Sequence, residues 1–173
     1  MSRFLECLDV VLENEGGLSD HKADRGGRTN YGVTQKTYDA YRRASGHRTQ
    51  PVDKISTDEV KQIYFSYWED CKADMMPEPL DLFLFDCAIN SGASRAVKLL
   101  QECIETTTDG RFGPATREAL HNFVMDTSVE YIAKQYLDAR RSWYDQIIER
   151  DPSQSVFARG WMKRIDDLEE YLA

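Results

Sequence analysis

The 173-residue sequence has no long hydrophobic run. Nothing in it approaches the ~20 apolar residues of a membrane helix, so no stable membrane insertion is expected. The N-terminus has no apolar stretch leading to a small-residue cleavage site, so synthesis in the cytoplasm without a signal peptide is expected. Cysteine and histidine are sparse and scattered. Cys7, Cys71, Cys87 and Cys103 show no CxxC spacing, and His21, His47 and His121 have no metal-ligand spacing. No metal or other cofactor is therefore expected, and the cysteines read as reduced core thiols. An excess of basic residues is also missing. Lys and Arg number 22 against 30 Asp and Glu, a net charge of -8, which disfavours nucleic acid as a partner. Repeats and low-complexity segments are absent.

What is there suits a soluble globular chain: 41% hydrophobic and 30% charged residues, with mean hydropathy -0.60. The length fits one domain, or a main domain with a small appended one. The charge is uneven. Residues 1–75 carry 11 basic and 13 acidic side chains, whereas residues 76–173 carry 11 and 17. An anionic partner would meet less repulsion in the N-terminal half.

Helical periodicity runs through most of the chain. Phe4, Leu8, Val11 and Leu12 mark a first helix from about Ser2 to Glu15, stopped by Gly16-Gly17. Residues 18–34 are rich in Gly, Asp, Arg and Thr and read as a small hairpin or irregular lobe, with a short strand expected at Tyr31 to Val33. Thr34 is a candidate N-cap for a helix to Ala44, and Ser56 with Glu59 forms a capping-box pattern. Leu80 to Asn90 is apolar nearly all round and predicts a central buried helix. Ala93 to Glu105 is amphipathic, Pro114 suits a first helical position, a long helix is expected from Val129, and a last one from Phe157. The fold class is mainly α with one small β element. Trp68 and Trp143 are expected in the core.

Glu15 continues the Phe4, Leu8 and Val11 row at the end of its helix. A helix C-terminus and partial burial both disfavour the ionised carboxyl, which is the condition a general acid needs. Asp20, Asp24, Thr29 and Asn30 follow across the Gly-rich loop. A helix-end acid facing such a loop has the parts for glycoside hydrolysis: a proton donor, and a carboxylate or polar group holding water.

Three blocks carry a family resemblance: Glu15-Gly16-Gly17, Gly26-Gly27-Arg28-Thr29-Asn30-Tyr31-Gly32-Val33-Thr34, and Phe85 through Gly92. Together they resemble the glycoside hydrolase family 108 muramidases. Asp109 to Pro114 and Gly160-Trp161 are similar to the peptidoglycan-binding region that follows in such proteins. The resemblance implies a lysozyme-like helical fold, with a catalytic region at 1–92 and a helical peptidoglycan-binding-like region at 93–173, the two expected to pack as one compact unit. It implies peptidoglycan as substrate, cleavage between N-acetylmuramic acid and N-acetylglucosamine, and Glu15 as the acid. It also implies a role in cell lysis or protein release, with a holin as a possible export partner and action at the cell wall or periplasm.

Phage-type lysozymes show Glu-x8-Asp-x5-Thr. Here Glu15 and Asp24 fit that spacing, but the third position is Asn30, with Thr29 one step early. Asp24 is taken as the better second group, Asp20 as the competing carboxylate, and Asn30 as a positioning residue. Tyr31 is the best candidate for glycan contact. Asp86 and Asn90, spaced i, i+4, are read as lining the sugar cleft or as a buried hydrogen-bonded pair. Asp109, Phe112, Trp161 and Arg164 are candidates for a stem-peptide site, although the Asp109–Pro114 turn also reads as purely architectural. The alternatives to a muramidase are a lytic transglycosylase and a non-catalytic wall-binding module.

Overall fold

The structure is a computed structural model of the chain; it describes residues 2–15 and 29–172, with only the backbone of Asn14 and Glu15. Among the described residues are eight α-helices and one two-stranded antiparallel sheet. This is the expected mainly α, lysozyme-like class. The chain forms two compact units, Met1–Ser66 and Tyr67–Ala173. The motif-based division, between residues 92 and 93, falls within the second unit.

The first unit holds α1 (Ser2–Glu15), β1 (Thr29–Asn30), β2 (Val33–Thr34), α2 (Gln35–Ala44) and the start of α3 (Thr57–Cys71). Phe4, Leu8 and Val11 are buried as their spacing requires. The Phe4 ring meets Phe65 edge-on, 5.1 Å between centroids. The strands pair Thr29 with Thr34 and Asn30 with Val33. That register leaves Tyr31-Gly32 as a two-residue turn, not the strand expected from Tyr31. Both residues have positive φ, 51° and 72°, which a tight primed hairpin turn requires. Gly32 adopts this freely, whereas Tyr31 is strained.

The predicted caps form. Thr34 accepts from the Thr37 N–H at 3.2 Å and starts α2. Ser56 Oγ accepts from the Glu59 N–H at 3.2 Å, and Glu59 Oε2 accepts from the Ser56 N–H at 3.0 Å. This reciprocal pair fixes the start of α3, and losing such a cap costs ~1 kcal/mol.

The second unit contains α4 (Leu80–Ser91), α5 (Ala93–Cys103), α6 (Pro114–Asp126), α7 (Val129–Arg150) and α8 (Ala158–Glu169). Every residue of α4 from Leu80 to Ala88 is buried. A helix apolar all round is stable only when covered on all sides, and here α5 and α7 pack against it. Each fully buried Leu or Phe contributes ~1.5–3 kcal/mol. Helix α7 also carries α8. The last helix begins after a 3-10 segment, Pro152–Phe157, because Asp151 accepts from the Ser153 N–H and caps that segment first.

The four cysteines are free thiols; Cys7, Cys71 and Cys87 are buried and Cys103 is half-buried. Burial pushes the thiols of Cys71 and Cys103 up to about 12, so both are protonated at neutral pH. Trp68 is in the core, edge-on to Phe85 at 5.3 Å. Trp143 is half-buried.

Candidate active site

Glu15 is the last residue of α1, four positions after the fully buried Val11. The negative end of the helix dipole falls there. Asp20 and Asp24 lie outside the described residues. The hairpin supplies the other candidates. Thr29 and Asn30 are half-buried in β1, and Asn30 Nδ2 donates to the Val52 carbonyl at 3.4 Å, a long contact. Tyr31 is 43% exposed. Its carbonyl accepts from the Tyr64 hydroxyl at 2.7 Å, which pins the turn to α3.

A polar network braces the segment beside β1. Gln35 donates to the Gln50 carbonyl at 2.9 Å and accepts from the Val52 N–H at 2.8 Å. Gln50 donates to the Tyr38 hydroxyl, which donates to Glu59 Oε2 at 2.7 Å. Arg42 Nη1 meets Glu59 Oε1 at 2.7 Å. Burial alone would push the Glu59 carboxyl up. The Ser56 N–H, Tyr38 and Arg42 outweigh it and hold the carboxyl at about 2. One ionised carboxylate therefore joins α2, α3 and the chain between them.

Of the two sequence readings for Asp86 and Asn90, the cleft reading is overturned for Asp86. Its side chain is fully buried and both oxygens are taken. Oδ2 meets Arg140 Nη1 at 2.6 Å, and Oδ1 meets Arg164 Nε at 2.7 Å. Burial alone would raise this carboxyl; the two guanidinium groups hold it below the usual range. Asn90 is exposed, and its amide donates to the Asp86 backbone carbonyl at 2.9 Å, not to the Asp86 side chain. Arg164, expected at a peptide site, is committed to Asp86 instead, with 12% side-chain exposure.

Arg140 is a residue sequence reasoning missed. It is fully buried, and it also donates to the Tyr144 hydroxyl at 3.2 and 3.1 Å. The signal was present: Arg140 sits on the apolar row of Tyr136, Leu137 and Tyr144. A charge on such a row needs a buried partner.

The Asp109–Pro114 turn is built around another missed residue, Gln101, buried on the apolar row of α5. Its amide nitrogen has three acceptors within reach of its two N–H groups: Asp109 Oδ1 at 2.8 Å, the Arg111 carbonyl at 3.1 Å and Thr116 Oγ1 at 3.0 Å. Its oxygen accepts from the Gly110 N–H at 2.8 Å. The Gln101 bond and the Arg111 N–H hold the Asp109 carboxyl below its usual range. Asp109 is thus a turn brace. Gly110 has φ 77°, and a Cβ there would stand 2.3 Å from Ser94 Oγ, so glycine is required. Phe112 is half-buried and lines an open groove with Met75, Gly113, Pro114, Arg117, Glu118 and His121. Trp161 is elsewhere, stacked on Tyr144 at 4.6 Å and on Phe157 at 5.9 Å. The four residues grouped from sequence as a peptide site therefore do not converge.

Among the described residues, no group of three or more His, Cys, Asp or Glu is placed to hold a metal ion, and no helix is long and apolar enough to cross a membrane.

Two family models match the chain: Glycosyl hydrolase 108 over residues 8–92 and Predicted Peptidoglycan domain over residues 95–166. The solved structure of SagA from Brucella abortus is 30% identical, with a TM-score of 0.83, and the match covers 99% of this chain and 94% of that one. No curated protein matches the sequence. The first model spans the end of α1, the hairpin and the buried helix α4, and the second spans the Gln101-braced turn. On these matches, the chain belongs to glycoside hydrolase family 108 and carries a peptidoglycan-binding-type region after its hydrolase region.

Proposed function

We propose that this glycosidase is a muramidase, cleaving the β-1,4 bond between N-acetylmuramic acid and N-acetylglucosamine with Glu15 as general acid. The observation that carries the reading is the family match over residues 8–92, which includes Glu15 and the hairpin. The helix-end position of Glu15 supports it, because the C-terminal dipole of α1 favours the protonated carboxyl. Glu15 gives its proton to the leaving oxygen as the C1–O bond breaks. Water adds its hydroxyl to C1 of the muramic acid, and the proton it sheds passes to the carboxylate pair, so Glu15 ends the cycle protonated. Asp24 is the proposed second carboxylate, with Asp20 as the competing choice, and Asn30, next to Thr29 in β1, is the proposed positioning residue. Tyr31 contributes a sugar-stacking face. Its exposed ring on a strained turn, anchored by Tyr64, supports that role.

The biological role we infer is lysis or protein release at the cell wall or periplasm, with a holin or another non-Sec route delivering the enzyme. Comparing wall-fraction activity with and without a candidate holin tests this; equal activity would count against it.

Mass spectrometry of digested sacculi tests the chemistry. Reducing muramic ends carrying one added water are expected. Anhydro-muramic ends would make the protein a lytic transglycosylase. Binding to sacculi without any soluble product would make it a wall-binding module.

A further inference from the structure

The groove beside the Gln101-braced turn is unused by the chemistry proposed above. It measures about 550 Å³, within the ~300–1,000 Å³ common for small-ligand sites. Its apolar surface comes from Met75, Phe112 and Pro114, its charges from Arg117 and Glu118, and a further polar ring from His121. Arg117 and His121 are spaced i, i+4 on α6 and share a side of the helix. Among the described residues, none of these three side chains takes part in an ion pair or hydrogen bond.

The groove is also preformed. Gln101 holds Asp109, Gly110, Arg111 and Thr116, so Phe112, Gly113 and Pro114 ride on a turn that has already lost its freedom. A ligand there pays little ordering cost. Gly113 is the N-cap of α6 and brings no side-chain acceptor to the first-turn N–H groups. An acidic ligand group is favoured at such a helix start, and Arg117 lies one turn along. Glu118 asks for the opposite charge.

We propose that this groove binds the peptide arm of peptidoglycan. A carboxylate of the peptide meets Arg117 and the start of α6, an amine meets Glu118, and alanine methyl groups lie on Phe112, Pro114 and Met75. The proposal rests on peptidoglycan being the substrate. A neutral glycan would leave both charges unanswered and find a single aromatic ring, Phe112, to stack on. A polyanion would meet the net negative charge of residues 76–173. A peptide that carries both carboxylates and an amine answers Arg117 and Glu118 together, and its few net negative charges are repelled less than a polyanion's. This site replaces the dispersed set of Asp109, Trp161 and Arg164.

The test is a titration of the full chain, labelled at methionine methyls, with the synthetic tetrapeptide L-Ala-γ-D-Glu-meso-diaminopimelate-D-Ala. Met75 is 39% exposed and reports on the groove. A saturable shift of its methyl signal is expected. Arg117→Glu should weaken binding at least tenfold, and Gly113→Trp should abolish it. A Cβ at Gly113 meets nothing within 4 Å, and φ there is -107°, so a side chain is accepted without backbone strain. The Arg117 variant changes an exposed position and guards against misfolding of the other. No saturable shift, or equal shifts in both folded variants, would overturn the proposal. So would a Met75 shift produced by chitotetraose and not by the tetrapeptide, which would make the groove a sugar subsite. The titration needs no bond cleavage. Sacculus hydrolysis without tetrapeptide binding would sink this inference alone, and tetrapeptide binding without hydrolysis would sink the muramidase reading alone.

Discussion

In the first unit the paired charges stay near water, with Arg42 and Glu59 side chains 18% and 16% exposed; in the second, Arg140 and Asp86 have none. The first pair joins α2 to α3, beside the hairpin. The second pair ties α4 to α7, and Arg164 adds α8. An accessible network holds local geometry and can be rebuilt with water if it breaks. A fully buried one cannot, because whichever partner remains is stranded without solvent. The same chemistry thus serves local positioning in one unit and commitment to a single packing in the other.

The largest expected effect follows from that contrast. Asp86→Ala leaves Arg140 buried and unpaired and should cost ~3–5 kcal/mol, read as a shift in urea midpoint. A loss below ~1 kcal/mol would mean the pair is not buried as described. Gly110→Ala should cost ~1–3 kcal/mol, from the positive φ and the 2.3 Å approach to Ser94 Oγ. Adding Ser94→Ala should recover part of it. Unchanged stability in the single variant would remove the case for a rigid turn.

Glu59→Gln should be milder, ~1–2 kcal/mol, because the amide keeps part of the cap while losing the charge on Arg42. The pH dependence has a definite sign. The Glu59 carboxyl is held at about 2 against an ordinary value of 4.5. Its contribution is therefore full above about pH 4.5 and is lost as pH falls through about 2. Unfolding curves of wild type and Glu59→Gln should converge over that acid range. Curves that stay equally far apart at every pH would contradict the network. The smallest effect is expected at Arg141. It meets Asp138, Asp166 and Glu169, but in largely exposed pairs. Arg141→Ala should cost under ~1 kcal/mol, screened further by salt.

What the sequence revealed follows the range of the interactions. The Thr34 cap, the Ser56–Glu59 box and the Pro114 helix start were legible because each is settled within four residues. Helix α4 was legible because burial on all sides leaves an apolar composition on all sides. The Tyr31-Gly32 turn was misread because tyrosine favours strands, and only the pairing register reveals that the turn claims it. Asp86 was seen as polar on a buried helix, but its partners lie 54 and 78 positions away. Without that pairing, a cleft residue and an interior one look alike. The groove was half visible: Phe112 was singled out, whereas Arg117 matches no motif and His121 was noted only for lacking metal-ligand spacing.

The most direct measurement is hydrolysis of purified sacculi by wild type and by Glu15→Gln, with unfolding midpoints measured on both. The account predicts soluble muropeptides from wild type, at least ~10²-fold slower release from Glu15→Gln, and matching midpoints. Equal release by a folded Glu15→Gln protein would contradict the assignment of Glu15 as the acid.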